Sequence, residues 1–300
     1  MLSDFIKFSC VITCYNREKE ITRSINSILN QTFSNYEIIV VDDASSDNSV
    51  AVIESINDPR IKIIKNEKNG GQNFSLNVGV QAAKYDYLAF LDSDDTWKPS
   101  YLMEMAMVYS EFPEIGFAYT NLVNGPVWEL EGQNKYADVL NQGYLSSMIT
   151  ITAKKTAVNK VGNFDVRYTI CQDDDFCFRL AKEFSFKVIK KQLSVIHGAE
   201  NSMTNHNLNV AKGWVFLFKN YQAEILSYCG PKTFAKHMLM VSKLYFAGNS
   251  LSNGVKYYLT ALKFWIKPTK HQYKFSFKTL MGESFSIVKL IGSKIKNKLV

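Results

Sequence analysis

Four short apolar runs, each leading into a polar turn, with helical patterns between them, constrain the fold of this chain more than any other feature. Residues 8–13, 37–41 (EIIVV), 61–64 and 87–91 are rich in strand-forming side chains, and the second run is apolar throughout, as strands buried on both faces of a parallel sheet are. Between them Ile21, Ile25, Ile28 and Leu29 recur at helical spacing, as do Val50, Ile53 and Ile56, and then Phe74, Leu76, Val78 and residues 80–83. Repeated strand–helix alternation builds an α/β fold: an open, mostly parallel sheet with right-handed crossovers, flanked by helices.

In such a sheet, ligands bind beyond the carboxyl ends of the strands. Tyr15-Asn16-Arg17 follows the first run, Asp42-Asp43 the second, Gly70-Gly71 the third, and Asp92-Ser93-Asp94-Asp95 the fourth. The turns after the first, second and fourth runs are therefore expected to open onto one crevice. Three carboxylates within four residues repel one another unless a cation or hydrogen bonds compensate. Hard oxygen ligands of this kind suit Mg²⁺ or Mn²⁺ bridging to substrate phosphates. For Asp42-Asp43 two readings stand: hydrogen bonding to a uracil ring or ribose, or capping of the next helix by Asp43 or Ser45. Gly70-Gly71 has neither the spacing of a dinucleotide fingerprint nor the lysine of a phosphate-binding P-loop. It reads as a turn that lets the backbone approach a ligand.

The segments CVITCYNREKEITRSINSILNQTFSNYEIIVVDDASSDNS and NGGQNFSLNVGVQAAKYDYLAFLDSDDTW resemble the family 2 glycosyltransferases of GT-A fold, over about residues 8–205. The resemblance implies a Rossmann-like nucleotide-binding half, a nucleotide-diphosphate sugar donor (usually a UDP sugar) and inversion at the anomeric carbon. It places Thr13, Tyr15 and Arg17 at the nucleotide and Asp43 at the base or ribose, and Gly71 and Ser93 join the donor-binding set. Asp92 and Asp94 match the family's acidic pair, with Asp94 the direct metal ligand and Asp92 nearer the ribose and sugar. Asp95 and Trp97 match positions lining the donor pocket. In QDDDFCFRL, beginning at Gln172, Asp173 falls at the position of the general base. His197, in SVIHGAENS, matches a histidine that reaches the metal or diphosphate, with Ser202 in the same loop. Two departures stand out. Many members have proline where this chain has Thr13 or Cys14, and the glutamate preceding the general base is replaced by Gln172.

Residues 210–300 contain 15 lysines and two acids, Glu224 and Glu283, a balance of +13; the first 209 residues carry 20 basic and 26 acidic residues, a balance of −6. The expected organisation is a glycosyltransferase domain over 1–209, with a nucleotide-sugar half (1–98) and an acceptor half (99–209), then a basic helical appendage over 210–300. Helices are read at 214–225, 234–246, 255–266 and from Phe285 onward. Lysines interleaved with Phe, Tyr, Trp and Leu there suit an anionic membrane surface. Peripheral attachment to the inner face of the cytoplasmic membrane and a lipid-linked saccharide acceptor of bacterial polysaccharide synthesis are the corresponding expectations. A homodimer is left open. No nucleic-acid motif accompanies the charge, so nucleic acid is not expected as a partner. Five cysteines with no CxxC pair indicate reduced thiols rather than a disulfide framework or zinc site. The apolar stretch near Met1 is short and runs into a strand pattern, so no signal peptide is expected. Two rivals are a sugar nucleotidylyltransferase, for which YNREKE offers no Gly-rich loop, and a silent GT-A-fold scaffold, which Gln172 would permit.

Overall fold

A computed structural model describes residues 5–125, 127, 135–143, 147–197 and 206–265. The chain divides into two compact units, Met1–Val139 with Tyr144–Glu200, and Leu140–Gly143 with Asn201–Val300.

The first unit opens with β1 (Phe8–Cys14), α1 (Ile21–Leu29), β2 (Tyr36–Asp42), α2 (Ser49–Glu54), β3 (Ile61–Lys65), α3 (Gln72–Ala82) and β4 (Tyr87–Asp92), the alternation expected from periodicity. Every residue of β2 is buried, the reason its sequence carries no polar alternation. The four strands lie side by side in the order β3-β2-β1-β4, all parallel. Helix α1 buries Ile21, Ile25 and Ile28 in the core beneath them. Helix α3 lies against β1 at a glycine: a β-carbon on Gly79 would come within 2.4 Å of Val11 Cγ1.

The chain continues through β5 (Thr96–Trp97), α4 (Tyr101–Glu111), β6 (Phe117–Leu122), α5 (Lys135–Gln142), a 3-10 turn over Met148–Thr150, β7 (Ile151–Lys154), α6 (Lys155–Lys160), α7 (Gln172–Glu183) and β8 (Phe186–Val195). These strands extend the sheet to eight, ordered β3-β2-β1-β4-β7-β6-β8-β5. Strands β6 and β8 pair parallel, whereas β4–β7, β6–β7 and β5–β8 are antiparallel. The sheet is thus parallel through the nucleotide-binding half and mixed beyond β4. Phe90 of β4, Phe164 and Phe176 of α7 form a cluster, with Phe164 stacked on Phe176 at 4.2 Å and Phe90 edge-on to Phe164 at 5.2 Å. Asn77 of α3 ties in the same loop, donating to Phe164 O and accepting from Phe164 N. This packing brings the start of α7 to the end of β4.

The second unit contains α8 (Asn207–Asn220), α9 (Gln222–Tyr228), α10 (Pro231–Ala247) and α11 (Leu251–Trp265). Pro231 opens α10, where its missing N–H costs nothing. Helices α10 and α11 form a hairpin: Tyr245 stacks on Tyr257 at 5.3 Å, Phe234 meets Phe264 edge-on, and Ser242 Oγ donates to Gly254 O at 2.8 Å. His237 stacks on Phe218 and bonds Leu140 O through Nε2, and burial pushes its imidazole down to about 4. It is a neutral packing residue. On α11, Leu251, Val255 and Leu259 are exposed along one side with Lys256 and Lys263. The helix expected from Phe285 lies outside the described residues. None of the five cysteines forms a disulfide, and all are buried. Among the described residues, no helix is long and apolar enough to cross a membrane.

Candidate active site

Register brings three chain segments to one edge. Thr13 pairs with both Val41 and Asp92, and Cys14 pairs with Asp42, so β1, β2 and β4 end at the same level. The loops leaving β1 and β2 are knitted together. Asn16, at a φ of 52° that asparagine tolerates, donates its N–H to Ser45 Oγ at 3.0 Å and accepts from Ser46 N at 2.8 Å. Arg17 N donates to Ser49 Oγ, and Glu18 N to Asp47 Oδ2. The start of α2 is met by Asp47, whose Oδ1 accepts from Ser49 N at 2.9 Å. Neither Asp43 nor Ser45 caps that helix, which removes the capping alternative. The knitted loop leaves Tyr15 46% exposed above the edge and sets Arg17 Nε 3.6 Å from Asp94 Oδ2.

Asp43 is buried and organises the third turn. Its Oδ1 accepts from Asn66 Nδ2 at 2.8 Å and Gly70 N at 3.0 Å, and its Oδ2 from Gly71 N at 2.8 Å. Gly71 sits at φ 85°, left-handed backbone that strains any residue with a β-carbon. The side chain of Asp43 and the Gly70-Gly71 turn thus form one assembly directly before α3.

The acidic stretch after β4 is held from several sides. Asp92 Oδ1 accepts from Gln72 Nε2 at 2.8 Å, and Gln72 Oε1 accepts from Gln172 Nε2 at 3.0 Å. Arg23 Nη2 donates to the backbone oxygen of Asp94 at 2.6 Å. The pairing of β5 with β8 carries His197 alongside: its N–H donates to Asp95 Oδ1 at 2.9 Å, and its Nε2 lies 2.8 Å from Thr96 Oγ1. Ser93 is buried between the acids, and Asp173 in the first turn of α7 accepts from Asp174 N at 3.1 Å.

Burial pushes the Asp92 carboxyl up to about 8, reinforced by the negative charges of Asp95, Asp94 and Asp173. Asp95 rises to about 6 through burial, opposed by the His197 N–H. Asp173 also rises to about 6 through burial, held back by backbone N–H groups of its own residue, Asp174 and Met148. Burial and Arg23 lower His197, while Asp94 acts in the opposite sense. Four carboxylates that sense one another across β4 and α7 form a site short of positive charge. Among the described residues, no three His, Cys, Asp or Glu side chains already converge as metal ligands. The oxygen donors still fit Mg²⁺ or Mn²⁺, which bind through one or two carboxylates and complete their shell with water and substrate phosphates. Asp94 and Asp92 would hold such an ion, with His197 beside them.

Trp97 is placed in the core. It is 3% exposed, stacked on Tyr101 at 4.2 Å, and its Nε1 donates to Ile149 O at 2.6 Å. Gln72 and Arg23 reach the acidic stretch without having been singled out from the sequence. Gln72 carried one signal, its place directly after the Gly-Gly turn; Arg23, on the solvent side of α1, carried none. Ser202 lies outside the described residues.

Comparison with known proteins gives this geometry a family. Residues 9–190 match the family described as Glycosyl transferase family 2. The chain is 28% identical over 172 residues to the Escherichia coli UDP-Glc:alpha-D-GlcNAc-diphosphoundecaprenol beta-1,3-glucosyltransferase WfaP, covering 57% of this chain and 68% of that protein. It shares its fold with residues 1–349 of S. aureus TarS in complex with UDP-GlcNAc (TM-score 0.56, 18% identity or less among the TarS structures, covering 91% of this chain and 95% of that one). It shares it also with the Pyrobaculum calidifontis mannosyltransferase PcManGT in complex with GDP-Man and Mn²⁺ (TM-score 0.62, 14% identity, covering 97% and 86%). These likenesses establish the GT-A fold, and the family match, which runs from β1 into β8 and includes Asp43, Asp92–Asp95 and Asp173, makes this chain a member of glycosyltransferase family 2.

Proposed function

We propose that this glycosyltransferase moves a sugar from a UDP donor to a hydroxyl of a lipid-linked saccharide, with inversion and with Mn²⁺ or Mg²⁺ at the diphosphate. The observation that carries the reading is the electrostatic convergence of Asp92, Asp94 and Asp95 after β4 with Asp173 at the start of α7. In the proposed reaction Asp173 takes the proton of the acceptor hydroxyl as that oxygen attacks the anomeric carbon, and the bond to the UDP oxygen breaks on the opposite face. A carboxyl at about 6 is ionised at neutral pH yet basic enough for this task. A divalent cation bound at Asp94 and Asp92 supplies positive charge against the leaving diphosphate. Arg17 and His197 flank the same place, while Thr13, Tyr15, Asp43 and the Gly71 backbone lie toward the nucleoside end.

The acceptor assignment draws on WfaP, whose name specifies UDP-Glc and a diphosphoundecaprenol-linked GlcNAc. An acceptor anchored in a bilayer matches the lysine-rich region 210–300 and the exposed Leu251, Val255 and Leu259 of α11, which together suit peripheral contact with an anionic inner leaflet. In this division of labour, residues 1–98 bind the donor, 99–209 face the acceptor and 210–300 meet the membrane. The test is nucleotide release from a panel of UDP sugars and GDP-Man, with Mn²⁺ and with chelator, for the wild type and Asp94→Ala. UDP release from one sugar that is abolished by chelator and by the substitution is expected. Release only from GDP-Man would overturn the donor reading, and full activity in chelator would overturn the metal reading.

A further inference from the structure

One hydrogen-bonded chain links Asp92 at the end of β4 to the start of α7. Gln72 presents its NH₂ to Asp92 Oδ1, which accepts at 2.8 Å. That turns Gln72 Oε1 toward Gln172, whose Nε2 donates at 3.0 Å. Position 172 must therefore carry a donor. A glutamate there, as in the family pattern, would be an acceptor facing an acceptor. Gln72 could meet it only by reversing its amide and pointing Oε1 at Asp92. The replacement is thus part of a working arrangement rather than the loss of an acid. The other end of Gln172 supports this: its Oε1 is buried without a partner. A side chain serving only its own solvation would turn to satisfy that oxygen, but this one holds the relay instead. The relay also joins two helix starts. Gln72 is the first residue of α3 and Gln172 the first of α7, next to Asp173 and following Cys171, whose φ of 64° is uncommon for a residue with a β-carbon.

We propose that Gln172 is a positioning residue which, through Gln72, fixes the Asp92 carboxylate and couples the donor-gripping end of β4 to the turn that carries Asp173. The functional part rests on the donor reading above; the relay itself does not. Donor kinetics and UDP affinity are to be measured for Gln172→Glu and for Gln172→Met, which keeps the volume without the amide, alongside Gln72→Ala and the Gln72→Ala/Gln172→Met pair. Donor KM and UDP Kd are expected to rise about tenfold in each single variant, the order of one charge-assisted hydrogen bond, with kcat at saturating donor changed less than about threefold. The pair should be no worse than the more severe single variant, because the residues act in series. A fall in kcat at unchanged KM would mean that Gln172 takes part in the chemistry. A lower Tm with unchanged KM and Kd would mean that it serves only packing. Either result overturns the proposal. A readout without donor separates it from the donor reading: the side-chain amide resonances of Gln72 in the ligand-free protein should move in both Gln172→Glu and Asp92→Asn. If they stay in place in Gln172→Glu, the relay is refuted whatever the donor.

Discussion

Replacing Asp43 by Asn exchanges one oxygen for an amine in a carboxylate that three donors surround. Two of them, Asn66 Nδ2 and Gly70 N, meet Oδ1, and the third, Gly71 N, meets Oδ2. The better orientation of the new amide keeps its oxygen toward the first two and turns its NH₂ against Gly71 N–H. The reverse orientation faces two donors and is worse. One bond to a charged group is lost, about 1.5–3 kcal/mol, and two others weaken to neutral bonds of about 0.5–1.5 kcal/mol. Asp43 is only 4% exposed, so water offers little relief. The sum is a destabilisation of about 3–6 kcal/mol, centred on the Gly70-Gly71 turn. Urea midpoints of the ligand-free protein report the total, and hydrogen exchange at the Gly70 and Gly71 amides reports the place. Exchange at Gly71 should quicken by at least about tenfold. A change in stability below about 0.5 kcal/mol, with protection at Gly71 unaltered, would show that Asp43 does not hold the turn and that the three contacts are incidental.

Asp173→Asn should retain UDP binding while transfer falls by about 10²–10⁴-fold, the usual contribution of a general base; near-normal transfer would remove Asp173 from that role. In the wild type, transfer should decline as pH falls through about 6, because a protonated Asp173 cannot accept a proton, and a flat kcat profile between about pH 5 and 7.5 would contradict this. Stability of the metal-free protein should run the other way. Asp92, Asp95 and Asp173 hold protons more tightly folded than unfolded, so their penalty is absent below the usual aspartate range of about 4. It grows as pH rises through about 6 for Asp95 and Asp173 and about 8 for Asp92. Melting scans should therefore show Tm falling from about pH 5 to 8 with chelator and recovering with Mn²⁺, and a cation-independent Tm would speak against an ion at these carboxylates. Trp97→Phe should cost about 1–3 kcal/mol, from the lost bond to Ile149 O and the poorer stack on Tyr101, without altering donor KM; a raised KM would return Trp97 to the donor pocket.

Local order along the chain was enough to place β1–β4 and α1–α3, because strand and helix periods and turn residues act over a few positions. It also placed Asp43, Asp92 and Asp94 at one edge, since they stand at or just after the ends of their strands and a parallel sheet gathers such ends together. Between Trp97 and α7 the local signal failed. Strands β6 and β7 and helix α5 went unread: β6 and β7 are short strands that pair antiparallel, and α5 lies in a stretch with no legible motif. What each site residue touches was decided by tertiary structure alone. The separations are 28 residues for Asp43 and Gly71, 100 for Gln72 and Gln172, and 101 for Thr96 and His197. Contacts of that span depend on sheet register and on how α7 packs against β4, neither of which local periodicity encodes. The same dependence sends Trp97 into the core while its neighbour Thr96 meets His197. A two-residue strand alternates its faces, and only the partner strand β8 determines which face is buried.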